Sequence, residues 1–311
     1  ILFCYGIYTV YIGVLNGQKR FLNQAMFDIG FTTLKATLVL GMAAAGLGVL
    51  GAFYGFAGAA VIIMVIAVVY VRRSLKPGEP ISELYLFAAK VMLYTLVFNL
   101  IFKLDALFIK PLAANLFGNA DGVMADYGMA VNVSRLPWQA TIAITFVIFP
   151  MMSEATFTQD VSRARIYIRQ TLRYSTILVG SAVVVLMAMP DAIFSILPKG
   201  YEAGAIALVW LAPAYFSFSL FNIVNTLLMS SNRAGQALTV GCITIGLTIA
   251  YFMVIQQLGP DVITSKETLI RLSAIGTFAT FTIGLALGLG ALWRRFGSPM
   301  PLATVIRVLL V

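Results

Sequence analysis

The chain has 311 residues, of which 60% are hydrophobic and only 11% charged, with a mean hydropathy of +0.95. A water-soluble fold of this size needs charge over its outer surface, so these proportions exclude an ordinary soluble protein and leave a polytopic membrane protein. The sequence also contains no histidine, which removes the commonest metal ligand, the neutral-pH proton shuttle and the base of a Ser-His triad together.

Ten apolar segments follow one another at roughly 1–16, 23–46, 51–71, 83–109, 123–152, 171–190, 204–229, 236–257, 269–292 and 300–311. The central runs are long enough to cross about 30 Å of hydrocarbon as helices. They exceed the length of a barrel strand and lack its alternation. The expected fold is therefore all-α, a polytopic transmembrane helical bundle. Because the chain opens on Ile1 and stops inside Leu309-Leu310-Val311, it reads as a stretch truncated at both its N- and C-terminal ends. Cys4 and Cys242 lie in separate segments without the spacing of a disulfide or zinc site.

Lysine and arginine in the short connections set the orientation. Taking alternate connections, one side carries Lys19, Arg20, Arg72, Arg73, Lys76, Arg163, Arg165, Arg169, Arg173, Arg233, Arg294 and Arg295, and the other only Lys110, Lys199, Lys266 and Arg271. The first set belongs to the cytoplasm. This topology accounts for most of the net charge of +9, so the basic pI needs no nucleic-acid partner. The stretch Arg163–Arg173 interleaves its arginines with apolar and aromatic residues. It has two readings, a helix end obeying the positive-inside rule and a surface laid along an anionic leaflet.

A weak repeat is visible in the punctuation. Asn16-Gly17-Gln18-Lys19-Arg20, two spans and Arg72-Arg73 are matched by Ser230-Ser231-Asn232-Arg233-Ala234-Gly235, two spans and Arg294-Arg295. Both pairs face the same side, which makes the repeat parallel. It predicts the last three helices of one six-helix lobe over 1–80, a second six-helix lobe over 81–295, and the start of an additional C-terminal helix over 296–311.

Charges within apolar spans are costly and face a bundle interior or a wet cavity. In the second segment Gln24, Asp28, Thr32 and Lys35 form one helical stripe, with Lys35 roughly 20 Å beyond the cytoplasmic turn. The fourth segment holds Lys90, Asn99, Lys103 and Asp105; the fifth holds Asn132, Arg135 and Gln139 on one face. Arg135 is the sharpest single candidate, since arginine grips a phosphate bidentately and keeps its charge. The competing reading pairs it with Asp28, Asp105 or Asp126 as a packing device. Ser219, Asn222, Asn225 and Thr226, then Thr239, Thr244 and Thr248, read mainly as interhelical hydrogen bonds, Asn222 also as a cavity residue. Tyr5, Tyr8 and Tyr11 read as packing or an interfacial belt ahead of a cavity lining. Pro137, Pro150, Pro190 and Pro213 are expected to kink or stop helices.

Leu104-Asp105-Ala106-Leu107-Phe108-Ile109, Tyr127-Gly128-Met129-Ala130, Leu136-Pro137, Ile148-Phe149-Pro150-Met151-Met152-Ser153 with Asp160, and then Met189-Pro190, Ile196-Leu197 and Tyr201-Glu202-Ala203-Gly204 together resemble the polysaccharide (Wzx-type) flippases of the multidrug/oligosaccharidyl-lipid/polysaccharide (MOP) exporter superfamily. The resemblance is a loose pattern of positions over most of the chain. It implies a two-lobed MATE-like transporter in the bacterial inner membrane. Such a protein flips a polyprenyl-pyrophosphate-linked oligosaccharide by alternating access, among membrane lipids and alongside other polysaccharide assembly proteins. By charge, Lys35, Lys90, Lys103 and Arg135 fit the anionic substrate, and Asp28 or Asp105 fit ion coupling. No cofactor is implied beyond sodium, proton or membrane-potential coupling. The runner-up is a MATE-type cation or drug antiporter. An integral-membrane glycan-processing enzyme is less well supported, because the longest polar connection is about 18 residues and contains no Asp-x-Asp pair.

Overall fold

The computed structural model describes residues 2–72, 84–197, 200–258 and 262–297, and these residues are helical throughout apart from short turns, with no strand among them. Among the described residues seven stretches are long and apolar enough to cross a membrane. The first of them, Phe21–Arg72, is 52 residues long and folds back on itself. The protein is a multi-pass membrane protein. It divides into two compact units, residues 1–81 and 82–311. The segment expected at 300–311, with Arg73, Lys76, Lys199 and Arg307, lies outside the described residues.

The first unit is three helices: α1 (Leu2–Gly17), α2 (Phe21–Met42) and α3 (Gly48–Arg72). The break between α2 and α3 falls at Ala43–Leu47, where Gly46 (φ 90) and Gly48 (φ 53) take conformations that residues with a Cβ rarely adopt. The hairpin closes tightly because α3 presents small residues at every fourth position. A Cβ on Gly55 would stand 2.5 Å from the Leu38 carbonyl oxygen, and one on Gly51 would stand 2.6 Å from that of Met42. In lipid, helices gain little from hiding apolar surface, so this close backbone approach supplies much of the association. Tyr8, Leu15, Phe31, Ile63 and Val71 fill the remaining core.

The second unit contains α4 (Leu84–Phe117), α5 (Ala120–Ser134), α6 (Leu136–Phe157), α7 (Val161–Ala188), the short α8 (Pro190–Ile196), α9 (Gly204–Ser230), α10 (Ala234–Gln257) and α11 (Lys266–Phe296). Its centre is α9, whose side chains are buried on every side from Leu220 to Ser230 apart from Asn222. Phe218 lies within 4.6–4.9 Å, ring to ring, of Phe102, Phe98 and Phe281. Gly284 and Gly288 let α11 approach its neighbours: Cβ atoms there would meet Thr244 Oγ1 at 2.6 Å and Val224 Cγ1 at 2.8 Å.

Three sequence expectations change. The segment 123–152 is two helices meeting at Arg135, with Pro137 in the first turn of α6. The segment 171–190 begins ten residues earlier, so Arg163–Arg173 forms the opening turns of α7. Ser219, Asn225, Thr226, Thr239, Thr244 and Thr248 bond to carbonyls four residues back in their own helices. They do not bridge helices, because the preceding turn is the nearest acceptor for a short hydroxyl without water. Hydroxyl–hydroxyl pairs that do bridge helices include Ser217–Thr282 at 3.0 Å and Tyr127–Thr277 at 3.4 Å.

The two stretches matched as a repeat adopt the same turn. Lys19 (φ 57) and Asn232 (φ 58) are left-handed, and Arg20 N–H and Arg233 N–H each donate to the carbonyl five residues back at 2.9 Å. Gln159 (φ 57) builds a third copy between α6 and α7, where Asp160 N–H donates to Ala155. Asp160 then caps α7 through Arg163 N–H at 2.9 Å. The Ser162 hydroxyl and this amide hold its carboxyl below the usual carboxylate range.

Candidate functional site

In the first unit the α2 stripe is held by α1. Buried Gln24 accepts from the Asn16 amide at 2.9 Å. Half-buried Asp28 accepts from the Tyr8 hydroxyl at 3.2 Å. Tyr8 is itself fixed by ring contacts with Tyr5 and Phe31 at 5.9 and 5.6 Å, so of the three tyrosines this one is core. Thr32 turns back to the Asp28 carbonyl.

Lys35, two turns on, has no carboxylate within salt-bridge reach among the described residues. Its ammonium lies 5.6 and 5.8 Å from the ring centres of Phe31 and Phe56, a setting that stabilises a cation without neutralising it. It stands at the edge of a groove of about 510 Å³ whose other walls, including Val39, Val49 and Phe53, are apolar.

In the second unit the side chains sort into a buried pair and an exposed face. Asp105 is only 7% exposed. It accepts from the Tyr127 hydroxyl at 3.1 Å and from the Ala106 amide at 2.8 Å, and Tyr127 is also the residue that meets Thr277. Arg135 occupies the junction of α5 and α6. Its Nε donates to the Tyr215 hydroxyl at 2.8 Å and its Nη2 to the Phe102 carbonyl at 3.2 Å. Its guanidinium carbon lies 4.6 Å from the Phe102 ring centre and 5.2 Å from that of Tyr215. Two nitrogens and two neighbouring rings thus orient the group. The Nη1 donors remain available. No carboxylate lies within salt-bridge reach of Arg135 among the described residues, and Asp126, one of its expected partners, pairs with Lys266 at 3.3 Å.

Asn132 and Gln139 flank Arg135 and are exposed. Lys90, Asn99 and Lys103 are exposed along α4, where Asn99 donates to the Thr95 carbonyl. Asn222 is half-buried on α9. The structure therefore joins Asp28 to Tyr8 and Asp105 to Tyr127 and Thr277, while leaving Lys90 and Lys103 apart from both. Tyr127, Tyr215 and Thr277 were missed as site residues. Only the third dimension brings each to its partner, 22, 80 and 150 residues away in sequence. Among the described residues no group of three or more Asp, Glu or Cys side chains is placed to hold a metal ion.

A profile described as polysaccharide biosynthesis protein matches residues 1–198. The chain belongs to that family. No curated relative matches the chain. Its fold is shared with a MATE protein solved in complex with MaL6 (14% identity, TM-score 0.75), which the alignment covers over 94% of this chain and 67% of that one. It is shared also with MATE in the straight conformation (12%, TM-score 0.73, 92% and 66%). A third match is a multidrug resistance MATE family transporter of the MOP superfamily in an outward-facing conformation (14%, TM-score 0.73, 97% and 65%). The chain thus spans about two thirds of the length of these structures. The family is thus that of the polysaccharide biosynthesis proteins, and the fold is the one seen in the MATE structures.

Proposed function

We propose that this member of the polysaccharide biosynthesis family flips a polyprenyl-pyrophosphate-linked oligosaccharide across the bacterial inner membrane by alternating access, together with other polysaccharide assembly proteins. In this reading residues 1–80 and 81–295 belong to successive lobes of the MATE-like fold, and 296–311 starts an additional helix. The observation that carries the proposal is Arg135. It is a cation at the junction of α5 and α6, where the membrane-spanning helix α6 begins, with no carboxylate within salt-bridge reach among the described residues, held by two hydrogen bonds and two rings with one nitrogen still free to donate. Holding a permanent cation this way is costly in hydrocarbon, and a pyrophosphate passing the site would offset that cost. Lys35 supplies a second such cation. Lys90, Lys103, Asn99, Asn132, Gln139 and Asn222 line the path of the glycan.

The test is export by the full-length protein with Arg135→Ala and Lys35→Ala. Glycan export should fall at least about tenfold at normal expression, the factor a lost charge-assisted contact carries. Undiminished export removes both residues from the mechanism.

A second reading, a MATE-type cation antiporter, is favoured by the two carboxylate–tyrosine pairs, Asp28 with Tyr8 and Asp105 with Tyr127. Each offers a carboxylate and a hydroxyl oxygen to a proton or sodium ion. Export of cationic dyes driven by sodium or protons, without glycan export, selects that reading.

A further inference from the structure

The arginines at the start of α7 are not used by the proposed transport path. The inner face of this helix, Ala164, Ile168, Leu172, Ser175 and Val179, is buried in the core of the second unit. Arg165, Arg169 and Arg173, spaced one turn apart, form an exposed stripe along one flank of that buried face, beside exposed Ile166 and Ile177. Arg163 is different, since it pairs with Asp160 at 3.5 Å. Among the described residues neither Arg165 nor Arg173 has a carboxylate within salt-bridge reach. The backbone under the stripe is set: the left-handed turn at Gln159 and the Asp160 cap fix the helix start, so binding has only the arginine side chains left to order.

Length decides what meets these cations. The whole of α7 is 28 residues, about 42 Å, but Tyr174–Ala188 rises only about 22 Å. The hydrocarbon layer is about 30 Å thick. With the Ala188 end at the outer edge, Arg173 lies about 8 Å inside the hydrocarbon on the basic side. A soluble partner does not reach that depth. A lipid phosphate drawn inward does, with the leaflet thinning beside it and the arginine side chain extending toward it. Arginine suits the task because its planar fork binds two phosphate oxygens.

We propose that the Arg165–Arg169–Arg173 face of α7 is a binding site for anionic phospholipid of the cytoplasmic leaflet, holding the headgroup phosphate below its ordinary level in the bilayer. The purified full-length protein, titrated with phosphatidylglycerol and with phosphatidylcholine and read by native mass spectrometry, should retain the anionic lipid at least about tenfold more strongly, as about two cations near an anionic leaflet contribute. The double variant Arg165→Gln/Arg173→Gln should bring the two lipids to within about twofold. A wild-type protein without preference, or a double variant that keeps it, overturns the proposal. So does displacement of the bound lipid by millimolar inorganic pyrophosphate, which marks a site for a soluble anion. Should the double variant fail to fold, Arg173→Gln alone should lower the preference at least about threefold, and an unchanged preference is equally decisive against it.

Discussion

Arg135 donates its Nε proton to the hydroxyl of Tyr215 at 2.8 Å while its guanidinium lies over the same ring, 5.2 Å from the centre. One tyrosine on α9 thus supplies both an acceptor and a face, and fixes where the remaining arginine nitrogen points. Tyr215→Phe keeps the ring and deletes the acceptor. Expression and thermal stability should change little, while glycan export falls about tenfold, the factor equivalent to one hydrogen bond to a charged group. Arg135→Lys keeps the charge but loses the fork, and should fall at least as far in the same assay.

The carboxylates predict a division of roles. Asp28→Asn and Asp105→Asn preserve shape and hydrogen-bonding capacity but cannot carry charge. If either residue couples an ion, its variant transports at a rate that no longer responds to the sodium or proton gradient. Proteoliposomes with imposed gradients measure this directly. A variant whose gradient response matches wild type identifies a carboxylate that serves packing only. Tyr8→Phe and Tyr127→Phe should show weaker versions of the same loss.

Gly276 packs beneath the Tyr251 ring, which a Cβ would enter; the Tyr251 hydroxyl is tied to the Leu272 carbonyl at 2.8 Å. Gly276→Ala should destabilise the protein by about 1–3 kcal/mol through overpacking. Combined with Tyr251→Leu, the loss should be less than the two single losses summed, because the second change opens the space the methyl group needs. Melting in detergent for the four proteins of the cycle decides it.

The alternation of helices predicts which turns share a side. A cysteine at Thr158, in the turn before α7, should react with an impermeant maleimide only when the cytoplasmic side is accessible. One at Asp121, near the start of α5 and exposed beside Lys110, should react from outside. Both belong in a background with Cys4 and Cys242 replaced. Labelling of both from one side contradicts the orientation read from the basic residues.

Those basic residues and the apolar runs make the membrane fold legible in the sequence, since both signals are written along the chain. The break at Arg135 was harder to see. Asn132, Arg135 and Gln139 share one face whether the helix continues or bends, so periodicity does not distinguish the two; Pro137 was the local signal. The polar side chains of α9 and α10 read as bridges in the sequence because it shows a polar atom but not its nearest acceptor, which is the preceding turn. Asp105 stood out as a charge in an apolar span, yet its partner Tyr127 carries no mark of its own. That pairing exists only once α4 and α5 lie side by side.

The burial of α9 has a mechanical consequence. A helix enclosed on all faces, with rings from three neighbours wedged around Phe218, is an axle: sliding it by a single turn would unseat every helix against it at once. Rearrangement inside the second unit is therefore confined to helices with one bare flank, such as α4 and α7, or else the unit swings as one piece. Arg135, fastened to that axle through Tyr215, travels with it.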